Sequence, residues 1–289
     1  MDKTSVALIG AGKVGSSLAL ALARAGHPVT VVVDHDMGKA LEVSRAVGAG
    51  EVAEGPVAHL GRTGVVLISV PDGEIRPLAE GLAASGFLKE GQALCHTSGF
   101  APSSDMAAAG PAGCGLASMH PMMSFAAPFT PLSARTPICY GLEGNAEGLR
   151  MASQLVDSLG GIPVRVPAEG KAGYHAACVM ASGMVAALLG LAQKVFDAQG
   201  LSDDSLGMVR SLASSVVENL AHGDVPGSLT GPLARGQSEV VAEHLRALEG
   251  GDGNARAAYR ALGLAMLGMA GEGIDQGARG RIEKLLKAD

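Results

Sequence analysis

The chain has 289 residues, enough for two ordinary domains, each with its own core. With 47% hydrophobic and 17% charged residues and a mean hydropathy of +0.28, it is a globular sequence and not a disordered one. A formal charge of −6 argues against nucleic acid as the main partner, and 3% aromatic residues with no Trp argue against a base-stacking platform.

Val6–Ile9 reads as a short buried strand, and Gly10, Gly12 and Gly15 follow in Gly-x-Gly-x-x-Gly spacing before an alanine-rich helix over Ser16–Ala25. Strand, triplet and helix in this order make the signal specific for a dinucleotide. Gly10 permits the tight turn, Gly12 lets the backbone approach a pyrophosphate, and Gly15 lets the helix pack against the sheet. The phosphates would sit on the free N–H groups at the start of that helix, beside Lys13 and Val14. Val29–Val33 is a second strand, and Asp36 is placed to cap a helix over Met37–Val47. Val65–Val70, bounded by Gly64 and Pro71, reads as a buried parallel strand. Ala93–Thr97, Cys114–Met119 and Pro137–Gly141 are further strands; Asn145 caps a helix reaching Leu159, and Ile162–Val166 is the last strand. The alternation predicts an α/β fold with an N-terminal doubly wound, Rossmann-like sheet. From Ala168 the pattern is helical only, so a boundary is expected near Pro167, giving domains 1–167 and 168–289. A long helix comes first. Ser202 is expected to cap Asp203–His222, Ser238 and Asn254 to begin two more helices, and Gly271–Gly273 to separate a final basic helix.

The 21 residues Ala172–Ala192 carry no formal charge and are long enough to cross a membrane. The polar Tyr174, His175 and Ser182 and the lack of a second such segment favour the central helix of a soluble domain instead. Cys95, Cys114, Cys139 and Cys178 form no Cys-x-x-Cys pair and read as reduced thiols of a cytoplasmic protein, and no leader precedes the first strand.

Asp34 follows the second strand, 24 positions after Gly10. An acid there binds the adenosine ribose hydroxyls and repels a 2′-phosphate, favouring NAD over NADP; the alternative is a helix cap. Ligands of a doubly wound sheet sit outside the carboxyl ends of the strands, which places Val70 and Pro71 beside the cofactor and Ser98 near the nicotinamide, or in a plain turn.

Several blocks resemble a group of uncharacterised bacterial oxidoreductases: Leu67–Asp72, His96–Gly99, Ser118–Phe125, Lys171–Ala177 and Leu229–Gly236. Members have a Rossmann-like domain followed by a helical domain of unknown function. Their plan is similar to pyrroline-5-carboxylate reductase, ketopantoate reductase and the hydroxyacid dehydrogenases. The resemblance implies a 6-phosphogluconate dehydrogenase-like helical domain, a homodimer and a substrate cleft over the nicotinamide. The chain departs from the pattern at three places: Asp34-His35 stands where Ser-Arg is common, Gly183 where Asn is common, and Gln237 where Asp is common.

Lys171, His175, Cys178 and Ser182 fall on one face of the predicted helix, and an unpaired buried polar group costs about 1–3 kcal/mol, so a cleft is expected there. Lys171 and His175 are the candidate proton donors, the position of the lysine also matching the resemblance. The structural alternative is a snorkelling lysine and a satisfied core histidine. His120, Ser182, Thr230 and Arg235 are candidate substrate contacts, with Arg235 able to hold a carboxylate bidentately. No metal-ligand spacing and no Gly-x-Ser-x-Gly elbow occurs. The expected activity is NAD(P)H-dependent reduction of a small carbonyl or imine acid, ketopantoate first. The alternatives are a non-catalytic dinucleotide sensor and a deazaflavin reductase.

Overall fold

Short runs of Val, Ile, Leu and Ala between glycines and prolines become the strands of a single sheet. In the computed structural model, which describes residues 3–132, 137–270 and 273–288, the chain divides into Met1–Val179 and Met180–Asp289. The first unit carries β1 (Val6–Ile9), β2 (Val29–Val33), β3 (Glu51–Ala53), β4 (Val65–Ile68), β5 (Ala93–His96), β6 (Gly115–Pro121), β7 (Cys139–Gly144) and β8 (Ile162–Arg165). Their order in the sheet is β3-β2-β1-β4-β5-β6-β7-β8. All neighbours are parallel except β6 and β7, where Ser118 faces Glu143 and His120 faces Gly141. The order reverses between β2-β1 and β4, which opens the crevice used by ligands in such sheets.

Helices α1 (Lys13–Arg24), α2 (Met37–Val47), α3 (Asp72–Ser85), α4 (Ala146–Ser158) and all but the last residue of α5 (Lys171–Met180) belong to this unit. Alternation along β1 serves both faces. Val6 and Leu8 pack with Leu18 and Leu22 of α1, while Ala7 and Ile9 pack with Ile75 and Leu82 of α3. Asp36 caps α2 by accepting the Lys39 N–H, and Asn145 caps α4 by accepting the Gly148 N–H. Two elements have no clear sequence signal. β3 is three half-buried residues at the sheet edge, and α3 carries Pro77 in its interior, which removes one helical hydrogen bond. The expected strand over Val65–Val70 ends at Ile68, where the chain turns toward Pro71 and α3.

The second unit holds α6 (Gly183–Ala198), α7 (Ser205–Leu220), α8 (Val225–Ser228), α9 (Ser238–Ala247), α10 (Gly253–Met269) and α11 (Gln276–Lys287). Its core joins Leu233, Val241 and Leu245 to Leu267, Ile282 and Leu286. Three expectations need correction. The apolar stretch is not one buried helix: a turn at Ala181–Ser182 separates α5 from α6, and its apolar window is wholly unburied within the chain, although Ala168–Ala198 meets the length and composition test for a membrane span. Ser202 caps nothing, because α7 starts at Ser205 behind Asp204. Asp252, not Asn254, caps α10, and its carboxylate accepts the Asn254 N–H. The Gly271–Gly273 separator lies partly outside the described residues.

Candidate active site

Gly10 ends β1 with φ +98°, a conformation open to glycine, and a Cβ there would collide with the Ser69 carbonyl oxygen and lie 2.7 Å from its carbon. A Cβ on Gly15 would strike the Gly10 carbonyl and approach the Ser69 Cβ at 3.1 Å, so α1 packs tightly under the loop. Gly12 differs. It has extended backbone (φ −72°, ψ −171°), no side chain caps α1 in its place, and a Cβ would meet nothing within 4 Å. The loop therefore leaves an open approach to the first-turn amides of α1, where Lys13 is exposed and Val14 half-buried.

A cavity of about 660 Å³ adjoins this loop, lined by Gly10, Gly12, Asp34, His35, Lys39, Ser69, Val70, Pro71 and others. Asp34 is 8% exposed. Its Oδ2 accepts the Ala11 N–H at 2.6 Å and its Oδ1 the Asp36 N–H at 2.8 Å. Asp34 thus ties the glycine loop to the end of β2, and the cap of α2 is Asp36. The open Gly12, the uncapped α1 and the carboxylate at the cavity wall fit a dinucleotide in size and polarity.

A second group of side chains gathers at the ends of β5 and β6, against α5. Lys171 is 3% exposed. Its Nζ donates to Ser118 Oγ at 2.6 Å and to the Ser98 carbonyl at 3.5 Å, and lies 3.9 Å from Glu143 Oε2. Glu143 is buried too, accepting the Ser103 N–H at 2.6 Å and its hydroxyl at 2.7 Å. Burial pushes the Lys171 pKa down, against the pull of Glu143 and Asp72. His120 Nδ1 lies 2.7 Å from Tyr174 Oη, and its ring stands edge-on to those of Tyr174 and His175, at 5.6 and 6.0 Å. Burial, then His175 and Lys171, lower the His120 pKa to about 4, with Asp72 opposing. Burial first, then the Lys171 charge, lower that of the fully buried His96 to about 4.

The structure thus brings Lys171, His175, His120 and Ser98 into one neighbourhood. The Ser98 hydroxyl accepts the N–H groups of Phe100 and Ala101 and so shapes the turn, while its carbonyl receives Ser118 and Lys171. Ser182, Thr230 and Arg235 belong to the second unit. There Ser182 precedes α6, Thr230 edges a polar hollow with Asp224 and Ser228, and Arg235 is exposed. Tyr174, Ser118, Glu143 and the glycines that admit them were not singled out by pattern. Tyr174 carried a signal, lying three residues after Lys171 on the same helix face. Among the described residues no three His, Cys, Asp or Glu side chains cluster as metal ligands.

The first unit thus has the strand order, glycine loop and crevice of a Rossmann-like protein. Residues 1–121 match the family model of a Rossmann-like domain, and residues 138–266 match a domain of unknown function, DUF2520. The two matched stretches follow one another along the chain, and the polar cluster draws His120 from the first and Lys171, Tyr174 and His175 from the second. Among solved structures it is similar to an NADP oxidoreductase from Bacteroides fragilis, at 21% identity and TM-score 0.73 over 91% of this chain and 98% of that one. It is also similar to a Thermotoga maritima protein, at 26% identity and TM-score 0.69 over 92% and 98%. A Coxiella burnetii pyrroline-5-carboxylate reductase aligns at 14% identity and TM-score 0.62 over 99% and 100%. No curated protein matches the chain.

Proposed function

We propose that the protein is an NAD(P)H-dependent reductase of a small carbonyl or imine acid, with NADH preferred. The observation that carries this reading is one strand-end edge bearing both an open glycine loop and a buried polar cluster around Lys171. The names of the similar structures, two of which denote reductases or oxidoreductases, support it. When bound, the dinucleotide supplies a hydride. Gly10, Gly12, Lys13, Val14 and Gly15 hold its diphosphate, Asp34 its adenosine ribose, and Val70, Pro71 and Ser98 flank the nicotinamide end. His175, one turn of α5 beyond the buried Lys171, meets the substrate. The fixed Lys171 charge stabilises negative charge that develops as the carbon is reduced. His120 contacts the substrate.

The protein acts as a homodimer in the cytoplasm. Support for the assembly comes from the apolar side chains exposed on α6 and α7, including Met184 and Val185 on one and Leu212, Val216 and Val217 on the other. A second copy covering them would give the apolar helices the burial a single chain does not. The test of the activity is NADH and NADPH oxidation against 2-oxo acids, ketopantoate first, and cyclic imines, pyrroline-5-carboxylate second. Turnover of one class supports the reading. Tight dinucleotide binding with no turnover on any member assigns a sensor instead.

A further inference from the structure

Resting on the reductase reading, we propose that the proton for the reduced substrate passes along a relay from Tyr174 through His120, with His120 touching the substrate and Lys171 acting only through its charge.

The relay gives the 2.7 Å contact between His120 Nδ1 and Tyr174 Oη a direction: the Tyr174 hydroxyl donates, Nδ1 of neutral His120 accepts, and the imidazole hydrogen sits on Nε2. Burial and the neighbouring His175 and Lys171 keep the imidazole neutral at physiological pH. Burial, then Cys178 through its charge and a side-chain hydrogen bond with the phenol, then Cys139, raise the Tyr174 pKa, so the phenol stays protonated. The titratable groups around the pair are Lys171, His175 and Cys178 on α5, Cys139 on β7 and Asp72 on α3.

Two glycines make room for these rings. A Cβ on Gly99 would stand 2.9 Å from both His120 Cε1 and His175 Cδ2, and one on Gly141 would collide with the Tyr174 hydroxyl and lie 2.6 Å from its Cζ. The edge-on packing of His120 on Tyr174, at 88° between planes, holds the imidazole in the orientation the hydrogen bond needs. Lys171 has no comparable freedom. It is almost wholly buried, and its ammonium donates to Ser118 and to the Ser98 carbonyl beside the Glu143 carboxylate.

As the substrate carbon gains hydride from the reduced dinucleotide, the electron pair of its C=O or C=N bond moves to the heteroatom. That atom takes the Nε2 proton of His120 while Nδ1 takes the phenolic proton of Tyr174. Tyr174 is left as a phenolate until a solvent proton restores it, while the Lys171 charge acts on the His120 end of the pair.

The experiment pairs Tyr174→Phe kinetics with nitrogen-15 NMR of the imidazoles, the His120 signals being those lost in His120→Gln. Expected are a kcat reduced by about 100-fold in Tyr174→Phe, the lower end for loss of general acid catalysis, with substrate KM and NADH affinity within about twofold of wild type. In wild type the His120 hydrogen should reside on Nε2, and in Tyr174→Phe the two tautomers should mix. A hydrogen on Nδ1 in wild type, or a variant within about twofold of wild-type kcat, overturns the relay while leaving the reductase reading intact. Wild-type protein that shows the assigned tautomer but turns over no carbonyl or imine overturns the reductase reading, and the relay's catalytic role with it.

Discussion

Replacing Gly12 and Gly10 by alanine separates a role in binding from a role in folding. At Gly12 the backbone already has an ordinary extended conformation and the added methyl meets nothing within 4 Å. The free protein should lose no stability and could gain about 0.4–1 kcal/mol from the stiffer unfolded chain. The methyl does, however, occupy the approach to the α1 amides that a diphosphate needs. Losing one or two charge-assisted hydrogen bonds, at about 1.5–3 kcal/mol each, weakens NADH binding at least about tenfold. At Gly10 the positive φ and the collision with the Ser69 backbone act on the fold itself. Left-handed strain of about 1–2 kcal/mol and overpacking of about 1–3 kcal/mol add to a loss of several kcal/mol. The assay is thermal denaturation of both variants without ligand, followed by calorimetric titration of NADH. Gly12→Ala should melt at or slightly above wild type and bind poorly, whereas Gly10→Ala should melt well below it, at about 2–4 °C per kcal/mol. A Gly12→Ala protein that binds NADH as tightly as wild type refutes the placement of the diphosphate.

Asp34→Asn keeps an acceptor for the Ala11 N–H but removes the charge, so the KM ratio of NADPH to NADH should fall at least about tenfold; an unchanged ratio denies Asp34 a part in cofactor choice. Lys171→Ala leaves Glu143 buried without its cation, and because Ser103 still donates to that carboxylate twice, the loss of stability should be near about 3 kcal/mol, with kcat falling at least tenfold and NADH affinity unchanged. His96 is fully buried, and its folded pKa of about 4 lies below the ordinary 6.5, so the unfolded chain binds the extra proton between these values. Its contribution to stability, of order 3 kcal/mol, is complete above pH 6.5 and lost as pH falls toward 4, which urea denaturation across that range should record and His96→Gln should flatten. Val217→Asp on α7 should turn a dimer into a monomer by light scattering, since Val217 is 68% exposed in the single chain; a wild-type monomer contradicts the proposed assembly.

The sheet was legible because its strands are continuous apolar runs that few other structures accommodate, and the glycine loop because each glycine answers a different steric demand. β2 occupies the expected Val29–Val33, and Asp36 and Asn145 cap the helices assigned to them. The antiparallel turn into β7 was not legible, since apolarity does not encode strand direction. The apolar stretch after Pro167 misled for a related reason. Composition reports that a surface avoids water but not what covers it, and the turn before α6 depends on local backbone that Ser182 and Gly183 scarcely announce. Within the site, Lys171 and His175 could be found from their four-residue spacing. Glu143 and Ser118 are brought to Lys171 by the pairing of β6 with β7, information that lies in tertiary contacts and not in a motif. The significance of Gly99 and Gly141 likewise emerges only once the rings they accommodate are in place.

A crystal structure grown with NADH addresses the central claim most directly. The account predicts the diphosphate within hydrogen-bond distance of the amides that open α1, the adenosine ribose on Asp34, and the nicotinamide beside Ser98 and His120. Nucleotide bound elsewhere on the protein, or none at millimolar concentration, would contradict it.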